Sequence, residues 1–167
     1  AAAAGYFAKS VEANGLDSAA RIVATQEGRV FLGPTDRAYV GNADPKVDLW
    51  HVYRNGNPLH DPETRDVLGY EAFYLGTAQQ LQPGEPAVFE ILSAKQEINR
   101  GDRLLPLVRP ELMAYVPHKP EKNIDGRVLS VYGGVGVGGV GSVVAISRGK
   151  ADGLEVGHVL SLLRNRV

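Results

Sequence analysis

Glycine supplies the first pattern in this chain that can do chemistry. Gly136-x-Gly138-x-x-Gly141 and Gly134-x-Gly136-x-x-Gly139 both satisfy the dinucleotide-binding string. That string holds a pyrophosphate only where a helix opens behind the glycines, because the helix N-terminus meets the charge. Here Ser142-Val143-Val144-Ala145-Ile146 follows, and it is β-branched and strand-like. In a segment built of Val and Gly alone the match carries no information, so no nucleotide site is assigned. Gly149-Lys150 is followed by Ala151 and lacks the upstream glycine spacing of a P-loop. The four histidines, His51, His60, His118 and His158, show no i, i+2 or i, i+4 pairing that would put two ring nitrogens on one metal. His51, beside Trp50, is expected as a hydrogen-bonded core residue. His60 and His118 neighbour prolines and are expected in solvated loops, and His158 is assigned a structural role. No metal and no cofactor are read from the sequence.

Glu71 stands between aromatics in Leu68-Gly69-Tyr70-Glu71. A half-buried carboxylate of this kind can serve as a general acid, or can accept hydrogen bonds that join two strands. Glycoside hydrolysis needs a second carboxylate at a matching distance, and none is recognisable. No Gly-x-Ser-x-Gly elbow is present either. No catalytic residues are assigned, and the chain is read as non-enzymatic. Trp50, Tyr53, Tyr70, Phe73 and Tyr74 cluster in two stretches. Their rings can build a core or stack on sugars; core packing is the commoner use. Trp50, Tyr53, Tyr70 and Tyr74 are therefore the stacking residues of an alternative, glycan-binding reading.

Composition bounds the elements that position these residues. The chain has 167 residues, 44% of them hydrophobic and 22% charged, a globular balance. Eighteen basic against nineteen acidic residues leave a formal net charge of −1, so there is no electrostatic footprint for nucleic acid. The absence of cysteine excludes disulfides, thiolate nucleophiles and Cys-type zinc sites. No apolar run reaches the 18–20 residues of a transmembrane helix, and Ala1–Ala4 lack the features of a signal peptide. The chain begins without Met and is read as part of a longer protein. Twenty Gly and ten Pro disfavour long helices and favour short strands joined by turns.

Period-two alternation predicts strands over 21–25, 29–32, 37–41, 48–54, 68–77, 86–94 and 104–108, then 128–132, 143–147 and 158–163. In 48–54, apolar residues on both faces predict a strand covered on both sides. Asn55-Gly56 reads as a hairpin turn. Residues 1–20 read as an arm or linker, 21–110 as a first β module and 111–167 as a second. The expected fold is all-β: two small antiparallel barrels or sandwiches with Gly/Pro-rich turns and little helix. The spacing of Ile98-x-x-Gly101-x-x-Leu104 returns in Leu154-x-x-Gly157-x-x-Leu160. Shared turn chemistry explains that echo more readily than duplication. The segment Gly133, Gly134, Val135, Gly136, Val137, Gly138, Gly139, Val140 and Gly141 is expected as a mobile loop or bulged strand ends, and as a candidate partner contact.

Several strings in order resemble a known family. They are Arg21-Ile22-Val23-Ala24, Glu27-Gly28-Arg29-Val30, Asp36-Arg37-Ala38-Tyr39-Val40, Val52-Tyr53-Arg54 and Pro58-Leu59-His60-Asp61-Pro62-Glu63-Thr64. Leu68-Gly69-Tyr70-Glu71-Ala72, Gln96-Glu97-Ile98 and Gly101-Asp102-Arg103-Leu104-Leu105-Pro106 continue the series. It ends with Pro117-His118, Val131-Tyr132-Gly133-Gly134-Val135 and Asp152-Gly153-Leu154-Glu155-x-Gly157-His158-Val159-Leu160. Together they resemble the C-terminal, FlgT-like region of proteobacterial LysM-containing envelope proteins, most closely those associated with type IV pilus secretins. The resemblance implies a periplasmic, outer-membrane-associated scaffold without catalytic residues. Its implied partner is an outer-membrane secretin, with self-association in a ring around it. Peptidoglycan would be reached through a LysM module, of which this chain has no trace: Gly101-Asp102-Arg103-Leu104 is only an echo of the LysM string.

Overall fold

The computed structural model describes residues 16–107, 116–132 and 137–164. The fold is all-β, as expected. The strands are β1 (Ala20–Thr25), β2 (Arg37–Gly41), β3 (Leu49–His60), β4 (Val67–Gln82), β5 (Ala87–Ala94), β6 (Arg103–Pro106), β7 (Val128–Val131) and β8 (Val144–Ile146). Among the described residues the single helical element is a 3-10 turn, Lys150–Asp152. Two compact units divide the described chain: 16–59 with 67–107, and 60–66 with 116–132 and 137–164.

The first unit is a closed barrel in the order β1-β2-β5-β4-β3-β6, with β6 returning to pair β1 through Ala20↔Leu104. Alternation explains why these residues line it. In β5, Ala87, Phe89 and Ile91 are buried while Val88 and Glu90 are half-buried. In β3, Trp50 and Val52 point inward and His51 and Tyr53 outward. Ile22, Val40, Leu75, Ile98 and Leu104 complete an interior filled by side chains, as a barrel this small must be. Register shifts between Ile22 and Ala24, Thr77 and Ala78, and Gln80 and Gln82 supply the bends that closure needs. Closure leaves the barrel without free sheet edges.

Several strand expectations need correction. Asn55-Gly56 is not a turn; both residues lie inside the 12-residue β3. Gly56 is there because β4 crosses it closely: a Cβ would come within 2.7 Å of Glu71 Cβ and of the Phe73 ring. The hairpin turns instead at 61–66, where Asp61 accepts the backbone N–H groups of Glu63 at 2.8 Å and Thr64 at 3.2 Å. Those two bonds hold the Asp61 carboxyl below its ordinary range. Residues 29–32 form no strand, and only Leu32 makes a bridge, to Ile98. No strand spans 158–163 either. Leu16 and Ala20, expected within an arm, are buried in the first unit; residues 1–15 lie outside the described residues.

The second unit is of another kind. Its sheet has two strands, β7 and β8, antiparallel with Val128↔Ile146 and Val131↔Val144 in register. Among the described residues of this unit none is buried. Among the described residues it also has an isolated parallel bridge, His118↔His158.

Candidate functional site

The second unit gathers its chemistry around that bridge. His118 N–H donates to the Gly157 carbonyl at 3.0 Å, and Val159 N–H donates back to the His118 carbonyl at 2.8 Å. The two backbones are thereby locked side by side, and the rings follow. His118 and His158 meet edge to face with centroids 4.7 Å apart. Glu155 joins them across a tight turn, in which His158 N–H donates to the Glu155 carbonyl at 3.2 Å. Gly157 holds the third position of this turn at φ +102°, where a side chain is strained. One ligating atom from each of His118, Glu155 and His158 lies within 4.8 Å of the others. They border a cleft of about 480 Å³, whose other walls include Glu121, Lys122, Lys150 and Asp152.

Hydrogen bonds fix how the rings present themselves. His118 Nδ1 lies 2.8 Å from the Val116 carbonyl. A carbonyl only accepts, so Nδ1 carries the proton and the Nε2 lone pair stays available. His158 Nδ1 does the opposite, accepting the Glu155 backbone N–H at 3.1 Å. Gly157 has a second duty here: a Cβ at that position would sit 3.2 Å from His118 Cε1 and 3.2 Å from the Val116 carbonyl. Gly157→Ala is therefore expected to cost about 1–2 kcal/mol of stability and to displace the His118 ring. Urea denaturation and the His118 ring proton shifts check both.

The sequence reading missed this grouping. His118 lies forty positions before His158, so no local spacing joins them, and only Glu155-x-x-His158 was visible as a signal. Of the other singled-out residues, Gly133, Gly134, Val135 and Gly136 lie outside the described residues. Val137, Gly138, Gly139, Val140 and Gly141 are exposed, and Gly139 starts a turn closed by Ser142 N–H donating to its carbonyl at 3.0 Å.

The aromatic residues divide. Trp50 is 3% exposed, packs edge to face on Phe89 and donates its indole N–H to the Val47 carbonyl at 2.9 Å. It is a core residue and offers no face to a sugar, which corrects its place in the stacking set. Tyr53 and Tyr74 are half-buried on the outer barrel wall, their rings edge to face at 5.8 Å with His51 against both. His51 thus belongs to the outer wall, not the core. Lys95 Nζ lies 5.7 Å over the Tyr74 ring, a cation–π contact. Tyr70 is half-buried on β4. Glu71 is half-buried on the same strand, alongside Gly56 of β3.

Apolar side chains that would line a core in a larger domain are on the surface of the second unit. Val137, Val140, Leu162 and Leu163 are more than 80% exposed, and Val144 of β8 is 43% exposed. The two-stranded sheet leaves the outer sides of β7 and β8 without a partner strand among the described residues. No helix among the described residues is long and apolar enough to cross a membrane. Comparison with protein families, with curated proteins and with solved structures returns no match for this chain.

Proposed function

We propose that this chain is a non-catalytic scaffold of the periplasm that associates with an outer-membrane type IV pilus secretin. In this reading the link to peptidoglycan runs through a LysM module outside the chain, since no LysM string occurs in it. The observation that carries the proposal is the contrast between the two units. The barrel is closed and has its own core, whereas the second unit has no buried residue among the described ones and exposes several Val and Leu side chains. A two-stranded sheet is marginal by itself, and exposed apolar side chains and open strand edges suit a partner that adds a strand. A ring-shaped partner multiplies such contacts, so each one can be weak. The ordered resemblance to secretin-associated envelope proteins names the partner.

The test is co-purification with detergent-solubilised secretin after the peptidoglycan has been digested. The wild-type chain is expected to stay with the secretin. A Val144→Lys, Leu162→Lys variant should be held at least about tenfold less tightly, the equivalent of 1.4 kcal/mol, with its barrel intact by near-ultraviolet circular dichroism. Equal retention of the variant, or none of the wild type, would count against docking through the second unit. A glycan-binding role for Tyr53 and Tyr74 predicts instead that Tyr74→Ala releases the chain from purified sacculi. The scaffold reading expects no change there.

A further inference from the structure

We infer that His118, Glu155 and His158 form a binding site for a divalent transition-metal ion, zinc above all. The site goes beyond docking and stands independently of it. Two imidazoles and a carboxylate are the donor set that a borderline ion such as Zn²⁺ takes, and three protein ligands leave a fourth position for water. The three donor atoms already lie within 4.8 Å of one another, at the border of an open cleft that an ion can enter. They come from two segments pinned together by the His118↔His158 bridge, so little ordering remains to be done when the ion arrives.

His118 is prepared for this role. Its Nδ1–H is committed to the Val116 carbonyl, which fixes the tautomer and points the free lone pair of Nε2 away, the usual support of a metal-bound imidazole. Gly157, lacking a Cβ, leaves room for that ring. His158 must change. Its Nδ1 accepts the Glu155 N–H, so its proton resides on Nε2. If Nδ1 ligates, its lone pair is no longer available to the amide. If Nε2 ligates, the proton moves to Nδ1 and the amide faces a donor. Either way the ion breaks the Glu155 N–H bond, and water can replace it at this exposed residue. There is also a reason for an ion at this place. No residue of this unit is buried among the described ones, and a small unit with little core is one that a bound metal can stabilise.

The experiment is titration of the full chain with Co²⁺, followed by displacement with Zn²⁺. One equivalent of Co²⁺ is expected to give the intense visible absorption of a four-coordinate site, and Zn²⁺ should abolish it. His118→Ala and Glu155→Gln should each weaken binding at least about tenfold, while His60→Ala, outside the cluster, should leave it unchanged. Glu155→Gln keeps the side-chain length and the backbone bond, so its effect is separable from misfolding. In the ¹⁵N-labelled wild type, Zn²⁺ should shift the Glu155 amide among the largest of all. Absorption typical of six-coordinate Co²⁺, affinity unaffected by His118→Ala and Glu155→Gln, or an unmoved Glu155 amide would each overturn the site.

Discussion

Phe89→Ala is expected to destabilise the chain by about 3–5 kcal/mol, the largest effect of any single side chain in the barrel. Phe89 is fully buried at the centre of β5, between Ala87 and Ile91 on the inward face. Its ring meets Trp50 edge to face, with centroids 5.9 Å apart and planes at 73°. Such a pair adds to the cost of the lost apolar area, by about 0.5–1.5 kcal/mol in general. A closed barrel cannot collapse around the cavity, because each strand is held by two neighbours, so the cavity term is felt in full. Urea denaturation measures the loss. Trp50→Phe should cost less, since it keeps an aromatic ring and gives up mainly the hydrogen bond to the Val47 carbonyl. A Phe89→Ala loss below about 1 kcal/mol would contradict this packing.

The second large effect is electrostatic. Asp102 has a carboxylate only 5% exposed, in the turn that leads into β6. Arg54 clamps it with both arms of its guanidinium, Nε to Oδ1 and Nη2 to Oδ2, each at 2.8 Å. Asn99 N–H adds a third bond at 2.7 Å, and Arg54 Nη2 also donates to the Glu97 carbonyl at 2.8 Å. The Asp102 hydrogen bond, opposed by burial, raises the pKa of the Arg54 guanidinium above its ordinary value, so the arginine stays charged at any working pH. Arg54→Met leaves the buried carboxylate with its one backbone donor. Breaking a fully buried pair costs about 3–5 kcal/mol. Arg54 is 39% exposed, and water reaching the carboxylate reduces the expected loss to about 2–3 kcal/mol. Replacing both partners, Arg54→Met with Asp102→Leu, should recover part of it. A single variant within about 0.5 kcal/mol of wild type would show that the clamp is not needed.

The barrel was more legible in the sequence than the candidate site. Alternation alone placed β2 and β5, because each buries one face and wets the other. It failed for β3 and β4, which are longer than expected. Asn55-Gly56 has the local chemistry of a turn, yet the chain runs straight on because Phe73 and Glu71 of β4 fill the space a side chain would take. Pro58 does not end β3, since it lies beyond the stretch of β3 that pairs with β6, 50–53. The echo around Gly101 and Gly157 was real at the level of the turn, since both glycines have positive φ. It stopped there: Leu104 enters the barrel core, whereas Leu160 is 44% exposed and lies outside the strands among the described residues. With no buried residue among its described ones to impose periodicity, the second unit wrote little of itself into its hydrophobic pattern. His118 and His158 are brought together by two backbone hydrogen bonds, which no residue spacing records.

The most direct measurement of the docking claim is hydrogen exchange of the full chain with and without solubilised secretin. The proposal predicts slowed exchange at residues 128–131 and 144–146, whose strands have open outer edges, with the barrel amides unchanged. Protection confined to the barrel, or none anywhere at saturating secretin, would contradict it.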